Sequence, residues 1–397
     1  MRRLKLLLNH AYESVPYYHR VFDVSGVKPE DIRSLGDLSR LPVLRKKDVR
    51  SHSGEMMSSK YSLRDLEENS TSGSTSIPLR VYRTREEWIY TSASYVRSYD
   101  WAGMPRGEMA VQIVPRGGVW SYLVTSADLL LASFDVTAEK FERLLMSIRR
   151  LRPRFLAGYP SGLRLFTRFC EERGLSDIVF QSVLCSGEKI FDDEKRRMQR
   201  VFSADVYDDY ATTETGPIGY DCSEHSGLHI CSEHVLVEFL KDGEPAADGE
   251  MASLVVTPLF GYGMPLIRYE IGDVARSIED TCPCGRGLPL MSYVDGRMND
   301  ILVTPDGRLL CNSNFHSRIF ERLDVEQYRI IQERINKILV ELVPGKKFTE
   351  KSEAFIVTSI KRYMGEEVDV SVELKNEIEQ GSSQKRRIVV SHVPISL

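Results

Sequence analysis

The segment from Asn69 to Arg80 reads NSTSGSTSIPLR and combines a run of hydroxyl side chains with one glycine. The run LRVYRT, residues 79–84, follows it and has the β-branched and aromatic residues typical of a strand. A glycine-bearing turn beside a strand can direct backbone N–H and hydroxyl donors at one anionic group, as nests do for phosphate. The segment could therefore hold a nucleotide's phosphates, with four residues at its centre: Ser72, Gly73, Ser74 and Thr75.

The same composition is also typical of a flexible loop rich in serine and threonine, and the residues alone leave that alternative open. No Gly-x4-Gly-Lys-Ser/Thr pattern occurs anywhere in the chain, and no Gly-x-Gly-x-x-Gly opens a helix. A phosphate site at this segment would therefore differ in design from a Walker loop and from a dinucleotide-binding loop.

Length and charge restrict the kinds of protein that the chain can be. It has 397 residues, 42% hydrophobic and 28% charged, enough for a large core in one or two domains. A net charge of -4 and a pI near 6.1 provide no overall basic field, which argues against nucleic acid as a partner. The leucine run near the N-terminus is too short for a signal peptide, and no stretch approaches the roughly 20 apolar residues of a spanning helix. We therefore expect a cytoplasmic protein without membrane insertion.

Hydrophobic periodicity divides the chain into two parts. Residues 1–60 form a helical leader, whose first helix has apolar residues at helical spacing: Leu4, Leu7, Leu8 and Ala11. From 85 to 260 helical and strand-like segments alternate, which predicts an α/β architecture, and near Asp300 the pattern changes to short strands around one helix. We therefore predict a large N-terminal domain over residues 1–300 and a small, mobile α+β C-terminal lid over residues 301–397.

Apolar stripes within these parts predict the helices that pack against sheets. One stripe, before the strand-like FLAGY at 155–159, consists of Phe141, Leu144, Leu145, Ile148 and Leu151. The next, before the strand-like IVFQSVLCSGE at 178–188, consists of Leu163, Phe166, Phe169 and Cys170. In the C-terminal part, the apolar positions Phe355, Ile356, Ile360 and Tyr363 predict a helix from Ser352 to Tyr363, and RIVVSHV at 387–393 predicts a closing strand.

Four charged residues have side chains suited to a nucleotide site. Glu214, in DDYATTETG, could hold Mg2+, which prefers a few hard oxygen ligands plus water and phosphate. Asp273, in PLIRYEIGD, could accept hydrogen bonds from ribose hydroxyls, and Arg297, in YVDGRMND, has forked donors suited to phosphate. Each also fits an ordinary loop or turn, and Lys385, in GSSQKRR, by itself predicts only a solvated charge.

Cysteine and histidine residues form a second constellation. Seven cysteines in a long chain without a signal peptide argue against a disulfide framework and leave metal binding or buried thiols. A Cys-x6-His pair, Cys222 and His229, and a Cys-x-Cys pair, Cys282 and Cys284, could supply four ligands to tetrahedral zinc. Buried inert thiols remain the alternative, because Cys-x-Cys is less diagnostic than Cys-x2-Cys.

These segments resemble, in order, the motifs of the adenylate-forming enzymes, which include acyl-CoA synthetases and peptide-synthetase adenylation domains. The segment at 69–80 resembles their Thr-Ser-Gly-Ser/Thr-Thr-Gly-x-Pro phosphate loop, with Ser76 where a glycine is usual and Leu79 where many members have lysine. The leader from HAYESVPYY to LPVLRKKDVR, residues 10–50, resembles that of the phenylacetate-CoA ligase and CapK-like branch. Five separated motifs extend the resemblance over nearly the whole chain.

The resemblance implies roles for individual residues. Tyr-Ala-Thr-Thr-Glu is similar to the Tyr-Gly-x-Thr-Glu motif, so Thr213 would belong to the nucleotide site, Glu214 would lie next to the metal and Tyr210 next to the adenine or acyl group. Ser186-Gly187-Glu188 is similar to the strand end that lines this site.

The resemblance also implies roles for the C-terminal motifs. Asp273 would contact ribose, Arg297 would face phosphate, and Asn299 would occupy the hinge position, where relatives have aspartate or lysine. Lys385 matches the lysine that stabilises carboxylate attack on the α-phosphate, although Gln384 replaces the usual glycine before it.

The resemblance supports a structural zinc as well. The phenylacetate-CoA ligase branch carries very similar text, Cys-x5-6-Gly-Leu-His and Cys-x-Cys-Gly-Arg, in the same two places. This implies a closed zinc site at Cys222, His229, Cys282 and Cys284, with Cys231 and His225 as alternative ligands.

The implied function is that of an AMP-forming carboxylate ligase. It would use ATP and Mg2+ to convert an aryl or small organic acid into an acyl-adenylate and would pass the acyl group to the thiol of CoA; a homodimer is left open. Because the region from Pro115 to Leu131 looks trimmed, phenylacetate itself is not assumed as the acid. Two alternatives remain: a biosynthetic ligase that transfers the acyl group to an amine, a sugar or a carrier protein, and a zinc-stabilised binding protein without catalysis.

Overall fold

The computed structural model describes residues 1–70, 79–114, 128–132, 138–297, 301–311, 315, 319–378 and 388–393. Some of the predicted site residues lie outside these ranges: Ser72, Gly73, Ser74, Thr75, Asn299 and Lys385.

The described residues contain eight α-helices: α1 (Arg2–Ser14), α2 (Pro16–Ser25), α3 (Lys46–Ser51), α4 (Arg85–Trp101), α5 (Ala138–Leu151), α6 (Pro160–Glu172), α7 (Asp192–Phe202) and α8 (Glu350–Met364). The N-terminal strands are β1 (Leu66–Ser70), β2 (Arg80–Thr84), β3 (Ala110–Val114), β4 (Asp128–Ala132), β5 (Phe155–Gly158), β6 (Ser182–Ser186), β7 (Asp205–Thr212), β8 (Gly216–Tyr220), β9 (Leu228–Ile230), β10 (Val235–Lys241) and β11 (Glu244–Pro245). They are followed by β12 (Ala252–Pro258), β13 (Tyr269–Ala275), β14 (Ser277–Ile278), β15 (Leu290–Met291), β16 (Gly296–Arg297), β17 (Ile301–Val303), β18 (Leu309–Cys311), β19 (Val325–Arg334), β20 (Lys337–Pro344), β21 (Asp369–Leu374) and β22 (Val389–Ser391).

The largest sheet has nine strands in the order β14-β15-β9-β8-β7-β6-β5-β3-β4. The strands from β4 to β7 are parallel, and β7, β8, β9, β15 and β14 pair in antiparallel fashion. Helices α5, α6 and α7 connect successive parallel strands, which is the arrangement expected of an α/β domain. The α/β fold class predicted from the sequence is confirmed.

The three crossover helices share one apolar core with the sheet. The stripe residues Phe141, Leu145, Phe166 and Cys170 are buried there together with Val183 and Val206 of the strands. One member of the predicted stripes is wrong: Leu151 is 40% exposed. The reason is local, because α5 ends at Leu151 and the next residue, Arg152, turns the chain away with a positive φ of 50°.

The helical leader packs against a five-stranded antiparallel sheet, whose strands lie in the order β11-β10-β12-β13-β16. The predicted apolar positions Leu4, Leu7, Leu8 and Ala11 are buried in a cluster that includes Tyr269 of β13. The leader also hydrogen-bonds to this strand, since Leu44 N–H donates to the Arg268 carbonyl and Glu270 N–H donates to the Leu44 carbonyl. The leader thus reaches the strand on which Asp273 lies.

The C-terminal residues form a four-stranded sheet, in the order β21-β20-β19-β22, packed against α8. Ile356 and Ile360 of α8 are buried against Ile330, Ile338 and Val340 of the sheet. The predicted helix and closing strand are confirmed, but Phe355 is 38% exposed because it lies on the outer side of α8. Among the helices of the described ranges, none has both the length and the apolar composition that a membrane crossing requires.

Gly158 at the end of β5 lies unusually close to the neighbouring strand. A Cβ atom added there would lie 2.3 Å from the carbonyl oxygen of Ile113 on β3, which is backbone and cannot move aside like a side chain. An alanine at this position would therefore force the two parallel strands apart.

We expect Gly158→Ala to lower the thermal unfolding midpoint by several degrees, equivalent to on the order of 2 kcal/mol. Gly54→Ala is the matched control, because a Cβ at Gly54 meets no atom within 4 Å. Differential scanning fluorimetry of both variants provides the test. Equal midpoints for Gly158→Ala and the control would contradict the close strand contact.

Candidate active site

Two of the predicted carboxylates are held by tyrosines that link the two large sheets. The Tyr210 hydroxyl of β7 donates a hydrogen bond to Asp273 Oδ2 of β13 at 2.6 Å. The Tyr269 hydroxyl, also on β13, donates to Glu214 Oε1 at 3.3 Å. Residues that are 63 and 55 positions apart in the sequence are thereby brought together beside the carboxyl end of β7. In open α/β sheets this end of the strands is where ligands bind.

Glu214 lies in a tight turn between β7 and β8. The turn is closed by Thr215 N–H, which donates to Thr212 Oγ1 at 3.1 Å, and by Arg83, which donates to the Thr213 carbonyl at 2.7 Å. The Glu214 side chain is 12% exposed, and Lys46 Nζ of α3 lies 3.7 Å from its Oε1. A partly accessible carboxylate of this kind fits a Mg2+ ion, which often binds one or two carboxylates and completes its shell with phosphate and water.

Lys46 was not predicted as a site residue. The sequence showed it only as one of two adjacent lysines in the leader, RKKDVR, where a lysine is usually solvated. The pairing of α3 with the Glu214 turn depends on the leader's contact with β13, which no local pattern reveals.

The predicted Ser186-Gly187-Glu188 turn follows β6 at the same edge. Gly187 has φ of +77°, and a Cβ there would lie 2.7 Å from the Tyr159 ring, so glycine allows this ring to pack on the turn. Glu188 Oε2 accepts a hydrogen bond from Ser161 N–H at 2.9 Å, at the start of α6. One oxygen of Glu188 is therefore used to cap a helix, where a negative charge is favoured.

Arg297 lies on β16, directly opposite Asp273 in the antiparallel pairing with β13. The backbone of the predicted phosphate-facing arginine is thus adjacent to the predicted ribose-binding aspartate. Its role stays a prediction, as do those of the loop residues and Lys385.

Two buried carboxylates near this site were not predicted. Burial raises the pKa of Glu87 on α4 to about 8, and the Arg83 guanidinium, 3.3 Å away, lowers it only in part. Asp209, next to Tyr210 on β7, is 4% exposed, and burial raises its pKa to about 7 although the nearby Ser186 hydroxyl lowers it. For Asp209, the signal in the sequence was a pair of adjacent aspartates, Asp208 and Asp209, within the strand DVYDDYAT.

The predicted metal ligands converge on one point. His229 Nε2 lies 3.3 Å from both Cys222 Sγ and Cys284 Sγ, and the Sγ atoms of Cys222 and Cys282 are 3.6 Å apart. All four ligand atoms lie within 4.8 Å of one another. Tetrahedral zinc with bonds of about 2.0 to 2.3 Å requires spacings of about 3.5 to 3.8 Å between ligand atoms, so the donor set fits zinc.

The surroundings of this cluster distinguish the two alternative ligands. His225 Nδ1 lies 2.9 Å from Asp221 Oδ2, and Cys231 belongs to the apolar cluster under α4, so neither is among the four convergent atoms. The Trp101 ring lies edge-on to the His229 ring, with 5.4 Å between centroids. No disulfide joins the six cysteines whose side chains are described.

Comparison with known proteins shows which families this chain is similar to. The CapK C-terminal domain family matches residues 302–392. Phenylacetate-coenzyme A ligase from Thermus thermophilus is 28% identical over 312 residues, 76% of this chain and 70% of the ligase. Protein CapK from Staphylococcus aureus is 20% identical over 99% of this chain and 88% of its own.

The solved structures agree on the fold. 2-Hydroxyisobutyryl-CoA ligase in its postadenylation state, with 2-HIB-AMP bound, superposes with a TM-score of 0.82 over 98% of this chain and 88% of the ligase, at 19% identity. The same ligase with CoA in its thioesterification state superposes with a TM-score of 0.68.

The chain is therefore similar to phenylacetate-CoA ligases and to CapK over most of its length. The predicted resemblance and the α/β fold class are confirmed, and the relatives that match over three quarters of this chain are named phenylacetate-coenzyme A ligases. The cluster of Tyr210, Glu214, Tyr269 and Asp273 is the candidate active site, and the cysteine and histidine cluster is a separate candidate metal centre.

The raised pKa of Asp209 predicts a pH effect on stability. Between the ordinary value of 3.8 and about 7, the folded protein retains a proton that the unfolded chain has lost. Ionisation of Asp209 therefore removes stability as the pH rises through this window, by up to about 4 kcal/mol at about 1.4 kcal/mol per pKa unit. The Asp209 carboxylate also raises the pKa of acidic groups around it, namely Tyr95, Tyr159, Asp208, Tyr220 and Cys185.

We expect Asp209→Asn to weaken the loss of stability between pH 4.5 and pH 8, because the amide does not ionise. Thermal midpoints measured across this range for wild type, Asp209→Asn and Asp205→Asn provide the test; Asp205 is exposed on the same strand. The same pH dependence in all three proteins would show that ionisation of Asp209 does not destabilise the folded protein.

Proposed function

We propose that this protein activates a carboxylic acid with Mg-ATP and transfers the acyl group to the thiol of CoA. In the first step a carboxylate oxygen would attack the α-phosphorus, the bond to the β-phosphate would break, and pyrophosphate would leave. In the second step the thiolate sulfur would attack the acyl carbon, the bond to AMP would break, and AMP would leave. The single observation that carries the proposal is the pair of tyrosine-held carboxylates, Glu214 and Asp273, at the carboxyl end of β7.

The proposed roles follow from what each side chain can donate or accept. Asp273 would accept hydrogen bonds from the ribose hydroxyls, and Tyr210 would hold its carboxylate in position through the 2.6 Å bond. Glu214 would bind Mg2+, the ion that would neutralise charge on the phosphates, and Lys46 balances the Glu214 carboxylate from 3.7 Å. Ser186 and Gly187, at the end of β6, and Thr213 would line the nucleotide pocket.

The residues outside the described ranges complete the proposed site. The loop from Ser72 to Thr75 would bind the β- and γ-phosphates through hydroxyl and backbone donors. Lys385 would bridge the attacking carboxylate and the α-phosphate, where it would stabilise the charge that develops during attack. Arg297 would face phosphate from β16, the neighbour of the Asp273 strand.

A rotation of the C-terminal residues 301–397 would separate the two steps. The higher TM-score to the postadenylation state, 0.82 against 0.68 for the thioesterification state, supports an arrangement that precedes the transfer step. Asn299 would act as the hinge, and the rotation would withdraw Lys385 from the site.

CoA is the proposed acceptor because the relatives that match over most of this chain are named phenylacetate-coenzyme A ligases. An amine, a sugar or a carrier-protein thiol in place of CoA would leave the first step unchanged. Free thiols and the use of ATP and CoA favour a cytoplasmic location.

We also propose a structural zinc ion bound by Cys222, His229, Cys282 and Cys284. These ligands tie the turn after β8 and strand β9 to the loop between β14 and β15. Four protein ligands leave no open position for water or substrate, so the ion would supply stability rather than chemistry.

The adenylation roles predict separable kinetic defects. Lys385→Ala should lower kcat for pyrophosphate release about 100-fold while ATP still binds, because the lysine acts on the transition state. Asp273→Asn should raise KM for ATP about tenfold, since it weakens hydrogen bonds made in the ground state as well. Pyrophosphate release and acyl-CoA formation, measured for an active acid, provide the test.

Lys375→Ala is the control, because Lys375 is a partly exposed lysine of the same C-terminal unit that pairs with Glu373. Acyl-CoA formation at the wild-type rate in Lys385→Ala would contradict the proposed role. Pyrophosphate release without acyl-CoA formation would direct attention to an acceptor other than CoA.

The zinc site predicts about one zinc ion per chain in protein purified without chelator. Cys282→Ser should lose the metal and unfold at a lower temperature, because one thiolate ligand is removed. Cys231→Ser should retain it, since this buried thiol lies outside the cluster. Metal content by plasma mass spectrometry gives the result; equal zinc in both variants would refute the assignment.

A further inference from the structure

A row of polar groups crosses the sheet at the carboxyl ends of β5, β6 and β7. Tyr159 directly follows β5, Ser186 ends β6, and Asp209 lies opposite Ser186 in the pairing of β6 with β7. Gly158 is paired with Cys185, so Tyr159 is level with Ser186. Three neighbouring strands thus present polar residues at the same height.

These residues share one face of the sheet. Leu184 and Tyr207, two residues before Ser186 and Asp209, pack against Tyr99 and Ala102 at the end of α4. Cys185 and Val206 pack into the opposite core, under the crossover helices. Because side chains alternate along a strand, Ser186 and Asp209 point to the α4 face.

Asp209 and Ser186 of this row are buried and have unused hydrogen-bonding capacity toward the described residues. Asp209 and Ser186 are both at least nine-tenths buried, and Tyr95 of α4 is buried close enough for the Asp209 charge to raise its pKa. The Ser186 hydroxyl is close enough to lower the pKa of Asp209, but by distance and angle neither Asp209 oxygen nor Ser186 Oγ makes a well-formed hydrogen bond within the described part of the chain. Leaving such groups unpaired is costly, and buried polar atoms in native proteins normally have partners. A ligand group that donates a hydrogen bond would supply this partner.

The position of the row identifies which part of a ligand would reach it. Tyr210, the next residue along β7, holds the proposed ribose-binding Asp273, and Gly187 follows Ser186 in the proposed nucleotide turn. Asp209 points to the other face of β7 from Tyr210. A group joined to the α-phosphate would extend past these residues into the row, and in an acyl-adenylate that group is the acyl chain.

We propose that Asp209, together with Ser186, accepts a hydrogen bond from the substrate acid, which therefore carries a hydroxyl or an ammonium group on its acyl chain. This inference rests on the proposed function. An unsubstituted aryl or alkyl chain would leave the Asp209 carboxylate buried without a partner, whereas a donor on the chain would satisfy it. A site built to bond a donor discriminates strongly against the analogue that lacks it, because its own polar groups are then left unpaired.

The test compares acids that differ only in the donor. Three triplets serve: 3-phenylpropionate, 3-phenyllactate and phenylalanine; isovalerate, 2-hydroxyisovalerate and valine; and phenylacetate with its 4-hydroxy and 4-aminomethyl derivatives. We expect the wild type to favour a donor-bearing acid over its parent by at least tenfold in kcat/KM for pyrophosphate release. Asp209→Leu should remove most of this preference by slowing the donor-bearing acid and not its parent.

Asp209→Asn separates the two kinds of donor. An amide oxygen still accepts from a hydroxyl, so the preference for a hydroxy acid should largely survive, whereas the preference for an ammonium should be lost with the charge. Asp205→Asn, on the same strand but exposed, is the control, and Ser186→Ala provides a second variant should Asp209→Leu fail to fold.

Two outcomes overturn the inference and are distinct from each other. The first is that the wild type releases pyrophosphate fastest with the parent acids, or that Asp209→Leu and Ser186→Ala leave the preference unchanged. Adenylation would then occur, but Asp209 and Ser186 would not contact a donor on the acyl chain. If no acid supports pyrophosphate release while ATP binds, the proposed function fails and this inference fails with it.

Discussion

The hydrogen bond between Tyr210 and Asp273 is the contact on which the site depends. At 2.6 Å it joins β7 of the nine-stranded sheet to β13 of the five-stranded sheet. The parallel strands β6 and β7 place Ser186 and Asp209 side by side at one edge of the sheet. Strand β13 contributes Asp273, and its Tyr269 hydroxyl donates a hydrogen bond to Glu214. Neither sheet alone contains the complete set of acceptors, so the site exists only where the two meet.

Burial at this junction gives neighbouring carboxylates different environments. Glu214 stays partly exposed and near Lys46, as suits an ion that must enter and leave with the nucleotide. Asp209, whose side chain lies on the opposite face of β7 from Tyr210, is enclosed among apolar and aromatic neighbours, and burial raises its pKa to about 7. The accessible carboxylate suits metal and phosphate, and the enclosed one suits a single donor on a bound molecule.

The fold and part of the site could be predicted from the sequence because their signals are local. Apolar stripes identified α5 and α6, and the Cys-x6-His and Cys-x-Cys spacings identified a cluster that converges within 4.8 Å. Lys46 and Asp209 could not be predicted, because their importance arises from contacts between distant segments and from burial. Leu151 shows the converse: it continues the stripe, but the helix ends there and the residue is exposed.

Acid-dependent exchange of pyrophosphate into ATP, measured without CoA, tests the central claim most directly. Exchange reports reversible formation of an acyl-adenylate and requires the nucleotide, metal and acid sites together, but no acceptor. The account predicts exchange that depends on Mg2+ and on the acid and that falls in Glu214→Gln. ATP binding without exchange for any acid would contradict the claim that the junction of β7 and β13 is an adenylating site.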